Sequence, residues 1–178
     1  MMSRSLIVGD YLRPPTAEPV DVELVEAFWR IGWLDPEELE DVATRLLTEG
    51  KDSHALVSLA AAIASDRNDV SKLFDQALYE IGHEAASENE SGARVARHVA
   101  SKIVSGDLAP EDGVAAMAMI CVDLATPSAD SPGYVDYPES LMWFCNTEDD
   151  ISDRGGVCPE EWKAEIIQRA NKLLESTS

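Results

Sequence analysis

The chain has 178 residues and carries 34 acidic against 14 basic side chains, a formal net charge of −20. A surface of that sign repels phosphate backbones and anionic membranes, so nucleic acid and membrane are not expected as partners, whereas a basic protein would be steered towards it. With 45% hydrophobic residues, ten glycines and nine prolines, the composition is that of a globular chain able to bury a core, not of a disordered one.

The three cysteines, Cys121, Cys145 and Cys158, contain no Cys-x-x-Cys pair, and an odd number cannot close a disulfide framework. Reduced thiols in a cytoplasmic protein are expected. The apolar run Leu6-Ile7-Val8 is too short for the core of a signal peptide, and no run reaches membrane-spanning length.

Residues 1–20 are expected as an extended arm, because Pro14, Pro15 and Pro19 exclude regular helix. From Asp21, Val22, Val25, Trp29 and Trp33 recur at helical spacing and mark the first helix. Asp35-Pro36-Glu37-Glu38 predicts a second helix start, followed by the apolar stripe Leu39, Val42, Ala43, Leu46 and Leu47 and a stop at Gly50. A third helix is predicted from Ser53, so apolar as far as Ala64 that little of it should face water. Val70, Leu73, Phe74, Ala77, Leu78 and Ile81 give a fourth, expected to fray near Ser87.

The polar stretch from Ser87 to Gly92 predicts a connection before a fifth helix on Val95, Val99 and Ile103, ending at Gly106. A sixth, from Pro110, has only Cys121 among apolar side chains between Val114 and Val122, the pattern of a central helix. Residues 126–138, with three prolines, predict a loop. A short helical piece is expected at Leu141 to Phe144, and a last helix from Pro159 to Leu174 with Trp162, Ile166, Ile167, Ala170, Leu173 and Leu174 inward. No segment alternates with period two. The expected fold is all-α: a single domain over residues 21–178, an irregular bundle of about seven to eight helices. Because Leu34-Asp-Pro36-Glu and Leu108-Ala-Pro110-Glu resemble each other, an array of helical-hairpin repeats is the alternative.

Candidate chemistry is thin. Asp150, Ser152, Arg154, Gly155, Val157 and Glu161 follow the spacing of a calcium loop, but Arg154 stands where an oxygen ligand is needed. Glu80-x-x-His83 is half of a di-iron motif, and neither His54 nor His98 has the matching glutamate that would complete it. His83-Glu84 is not followed by a histidine at Ser87, as a zinc protease requires, and there is no nucleophile elbow or phosphate-cradling loop. Cys121, in the most apolar helix, is expected as a small core residue. No catalytic residue, metal or cofactor is therefore assigned.

The charge itself is uneven. Residues 21–50 hold nine acids and two bases, and residues 130–161 nine acids and one base. Glu37, Glu38, Asp41, Glu148, Asp149, Asp150 and Asp153 are the candidate partner-binding carboxylates, with Trp143 as an aromatic anchor beside them. Glu37, Glu38 and Asp41 are expected to point outward, where neutralising them costs little stability.

The phrase Ile103-Val104-Ser105-Gly106-Asp107-Leu108-Ala109-Pro110-Glu111-Asp112-Gly113 resembles a helix–turn–helix phrase of small bacterial helical proteins, some of them immunity proteins of toxin systems. It spans eleven residues and carries no catalytic group. The resemblance implies a non-enzymatic protein that blocks a basic partner; a small helical enzyme with its site between helices, or a repeat scaffold, are the alternative expectations.

Overall fold

A computed structural model describes residue 12 and residues 19–61, 66–125 and 139–175. These form eight helices and, among the described residues, no strand: α1 (Val22–Arg30), α2 (Pro36–Thr48), α3 (His54–Ala60), α4 (Arg67–Glu80), α5 (Glu88–Ser105), α6 (Pro110–Ala125), α7 (Glu139–Asp153) and α8 (Glu160–Glu175). The all-α class is as expected. Most of the arm at residues 1–20 and the whole loop at 126–138 lie outside the described residues. The helices fall into two compact units, α1–α4 within Pro14–Ser87 and α5–α8 within Glu88–Ser178.

In the first unit α1 begins at Asp21, whose Oδ1 accepts from the Leu24 N–H at 3.0 Å. The start of α2 is the predicted one, and Glu38 folds back so that its Oε2 accepts the Asp35 N–H at 2.7 Å. Glu38 is thereby half-buried and engaged, unlike the outward carboxylate expected, while Glu37 and Asp41 are exposed. Gly50, at φ 83°, stops α2 in the left-handed conformation that lets the Lys51 N–H reach back to the Leu46 carbonyl at 2.9 Å. The same turn ends α4 at Gly82, where His83 N–H donates to Leu78 O at 2.9 Å. The fourth helix therefore closes short of Ser87. Periodicity alone overran it, because Ile81 continues the apolar stripe beyond Glu80, the last helical residue, up to the glycine stop.

α2, α3 and α4 pack against one another over Leu39, Leu46, Leu56, Leu59, Phe74 and Leu78, all buried. Val57 on α3 is 53% exposed, so the short third helix does present an apolar side chain to water. Trp29 of α1 meets Phe74 edge-on at 6.3 Å between ring centroids. The Arg67 guanidinium lies over that indole, 3.9 Å from its centroid, and donates to the carbonyls of Leu34 and Trp29 at 2.9 and 3.0 Å. One cation thus satisfies carbonyls at and beyond the end of α1 and covers its largest aromatic side chain.

In the second unit α5 begins at Glu88, inside the stretch expected as a connection. Ser91 and Gly92 are buried because small side chains allow close packing there, and Glu88 and Glu90 suit the positive end of the helix dipole. α6 is central, packed on α5, α7 and α8, with Val114, Met117 and Ile120 fully buried; Val122 at its end is 63% exposed. α7 is far longer than the Leu141–Phe144 piece expected. On α8 the inward seam is Ile166, Ala170 and Leu173, while Ile167 is 36% exposed and Trp162 half-buried, a narrower stripe than predicted.

The Ile103–Gly113 phrase forms the turn between α5 and α6. Leu108 is buried, and its N–H donates to Lys102 O at 3.1 Å. Gly113 sits in α6 against Ile103, and a Cβ there would overlap Ile103 Cγ1 and Cδ1 well inside van der Waals contact. Ile103 is itself buried and cannot swing away freely. Gly113→Ala is therefore expected to destabilise by about 1–3 kcal/mol, overriding the roughly 1 kcal/mol that alanine gains over glycine in a helix. In an Ile103→Ala background the same substitution should be neutral or stabilising. Denaturant unfolding of the four proteins checks this, and additive effects would show that the two sites do not touch.

Candidate functional site

The predicted carboxylates lie in two places, one in each unit. Glu37, Glu38 and Asp41 occupy the first turns of α2, and Glu148, Asp149, Asp150 and Asp153 the last turns of α7. The two sets differ physically. At the start of α2, acidic side chains face the positive end of the helix dipole and stabilise the helix, so their charge has a structural explanation. At the end of α7 they face the negative end, where cations are favoured, and α7 has no basic residue in its last turn.

Asp149, Asp150 and Asp153 are exposed, and Glu148 is half-buried. Ile151, between them, is buried and anchors the turn. None of the four acids is joined to a cation among the described residues. The nearest base in sequence, Arg154, lies 4.8 Å over the Trp162 ring. Beyond it, Gly155 and Gly156 at φ 74° and 80° turn the chain through Val157, which is 66% exposed, into α8, where Glu160 and Glu161 are exposed. Asp150 and Ser152 are helical and Arg154 is drawn to an indole, so the segment does not have the looped geometry of a calcium site.

Trp143 stands two turns before this acidic end. Its ring meets Phe144 edge-on at 5.1 Å and carries the Arg169 guanidinium at 4.9 Å. It is half-buried and partly covered, so it borders the acidic end as a fixed aromatic base, not as a free anchor.

The structure adds a charged group that the sequence reading missed. Glu26, on the inward face of α1, is fully buried. Its Oε1 accepts from Arg30 Nε and from the Ala86 N–H, both at 2.9 Å, and its Oε2 meets His83 Nε2 at 2.8 Å. An ionised carboxylate only accepts, so Nε2 of His83 carries the proton. Arg30 also donates to Asp75 Oδ1 at 2.9 Å. Burial pushes the Glu26 carboxyl up, but His83, Arg30 and the Ala86 amide together outweigh it and hold the group below its ordinary range.

A carboxylate held this firmly in its ionised form is a weak proton acceptor. The arrangement is a clasp that ties the segment after α4 to α1. Its one legible signal was that Glu26 falls three residues before Trp29, on the buried stripe.

Glu80, the other half of the di-iron pattern, turns elsewhere. Its Oε2 accepts from Ser53 Oγ at 2.7 Å and the Ala55 N–H at 3.0 Å, and Oε1 from Gln76 at 2.9 Å. Gln76, Ala55 and Ser53 pull its carboxyl down to about 2. Glu80 and His83 therefore serve two different helix junctions. Among the described residues no group of three or more potential ligands is placed to hold a metal ion, and no helix is long and apolar enough to cross a membrane.

Compared with known proteins, the chain matches no family model, no curated sequence and no solved structure.

The clasp makes a signed prediction. Because Glu26 is held below its ordinary value of 4.5, its contribution to stability is complete above that value and is lost as pH falls through the lowered one. Glu26→Gln keeps the shape but removes the charge that His83 and Arg30 share. It is expected to cost about 1–3 kcal/mol at neutral pH, with the gap from the natural protein narrowing as pH drops below the ordinary carboxylate range. Urea unfolding at a series of pH values measures this, and a gap that stays constant into acid would show that the carboxylate is not ionised in the clasp.

Proposed function

We propose that this chain is a non-enzymatic binding protein of the cytoplasm that engages a basic protein through the acidic end of α7. The observation that supports this reading is that Asp149, Asp150 and Asp153 stand exposed at the negative end of a helix and form no ion pair among the described residues, Arg154 lying over Trp162 instead. Such an arrangement costs stability, and a fold tolerates that cost where a site needs it. The acids of α2 need no such explanation, since the dipole favours them. Exposed Val157 and half-buried Trp143 supply apolar area next to the charge, which is how an interface combines steering with a desolvated centre. Blocking a basic toxin, as the Ile103–Gly113 resemblance implies, is the specific form this binding takes.

The test begins with capture of the partner at low salt, followed by association kinetics on the purified pair. Replacing Asp149, Asp150 and Asp153 with asparagine is expected to slow association about tenfold or more and to flatten its salt dependence. The same variant should be more stable than the natural protein, by roughly 0.3–1 kcal/mol per charge removed, because it relieves the helix end. Glu37→Gln with Asp41→Asn should leave association unchanged and lower stability slightly. Equal effects of the two variants on association, or none from either, would reject α7 as the binding end.

A further inference from the structure

We infer that Cys121 and Cys145 form an oxidant-responsive dithiol, a modification site that closes to a disulfide joining α6 to α7. The two residues sit on the helices that pack most extensively in their unit. Cys121 Sγ is buried and lies 3.7 Å from the carbonyl oxygen of Leu141. In an α-helix a carbonyl points towards the residue four positions on, which here is Cys145. A sulfur seated on the Leu141 carbonyl therefore lies alongside the turn that carries Cys145, and the Cys145 thiol is near enough to help push the Cys121 thiol up. The third thiol is placed differently. Cys158 Sγ lies 3.6 Å from the carbonyl of its own neighbour Pro159.

The two thiols have different access, which sets the order of events. Cys145 is half-exposed and reachable by a small oxidant, whereas Cys121 is enclosed. Burial and then the adjacent Cys145 push the Cys121 thiol up, so it keeps its proton and does not react first. With a peroxide as oxidant, the Cys145 sulfur attacks one peroxide oxygen. An S–O bond forms, the O–O bond breaks and water leaves, giving a sulfenic acid. Cys121 sulfur then attacks the Cys145 sulfur; the S–S bond forms, the S–O bond breaks, and hydroxide leaves with the Cys121 proton as a second water. The two thiols lose two electrons and two protons, and the peroxide is reduced to water. Closing the bond ties residue 121 to residue 145 and removes freedom from the unfolded chain between them.

The test uses the full chain with Cys158→Ser, hydrogen peroxide as the probe, and alkylation of remaining thiols before digestion. A Cys121 peptide joined to a Cys145 peptide is expected in the monomer band of a non-reducing gel, with a mass lower by about 2 Da and full reversal by dithiothreitol. The linked form should also melt at higher temperature than the reduced form. With Cys121→Ser added, Cys145 loses its resolving partner and is expected to proceed to the sulfinic acid, about 32 Da heavier and not restored by dithiothreitol. The native chain forming no such link, while the same oxidant joins the cysteines once urea has unfolded it, would overturn the proposal. So would a first oxidation that falls on Cys121 and is unaffected by Cys145→Ser.

Discussion

Fourteen basic side chains share one chain with thirty-four acidic ones, and this scarcity of cations shapes the structure more than any single contact. Four arginines are placed where a cation does most: Arg67 over Trp29 and on two carbonyls near the end of α1, Arg30 between Glu26 and Asp75, Arg154 on Trp162 and Arg169 on Trp143. Each anchors an aromatic ring or a buried carboxylate, and at the buried Trp29 and Glu26 desolvation makes the charge interaction stronger than it is on the surface. The exposed pairs, such as Lys72 with Asp69 and Arg169 with Glu165, contribute little. Many surface carboxylates, the end of α7 included, are consequently left to water or to a partner.

The same scarcity makes the Glu26 clasp costly to disturb. A buried carboxylate is tolerated only when its lone pairs are matched, and here a guanidinium, an imidazole N–H and a backbone amide match them. Two of those three donors come from the segment just after Gly82, so the glycine stop of α4 and the burial of Glu26 depend on each other. If the helix continued beyond Ile81, the chain could not turn to bring His83 and Ala86 to α1. Arg30, shared with Asp75, links the clasp to α4 as well.

What could be read from the sequence divides along the range of the interaction. Local chemistry was legible: Asp35-Pro36, Gly50 and the turn from Gly106 to Pro110 appear where their cap and turn preferences put them, and the apolar period of α6 marked it as central. Where a small-residue stretch carried two readings, the wrong one was available. Ser87 to Gly92 has the composition of a linker, yet Ser91 and Gly92 are buried at a close approach. The acidic tail of α7 has the composition of a loop, since four carboxylates near a Gly-Gly pair oppose the helix dipole, and only Ile151 and Thr147, turned inward, indicate helix. Of the partners of Glu26, Arg30 stands at helical spacing, but His83 and Ala86 lie 57 and 60 residues away, beyond any spacing rule. Placing Trp143 next to the acids was sound in sequence, but the arginine that covers it comes from α8.

These failures fall in instructive places. Local preference and final structure agree at the caps and in the core, and conflict at the end of α7, where a helix persists against its own electrostatics. α7 is held from the other side by Leu141, Phe144, Ile151 and the thiol contact at Cys121, all buried against the rest of its unit. Apolar burial at about 25 cal/mol per Å² exceeds the few tenths of a kcal/mol that each misplaced surface charge costs, so the core can hold the acidic turns in helical form. The inward face thus fixes the geometry and leaves the outward face free to carry charge that the helix itself does not favour. That separation leaves the acidic end of α7 exposed, with a composition that can change without altering the packing beneath it.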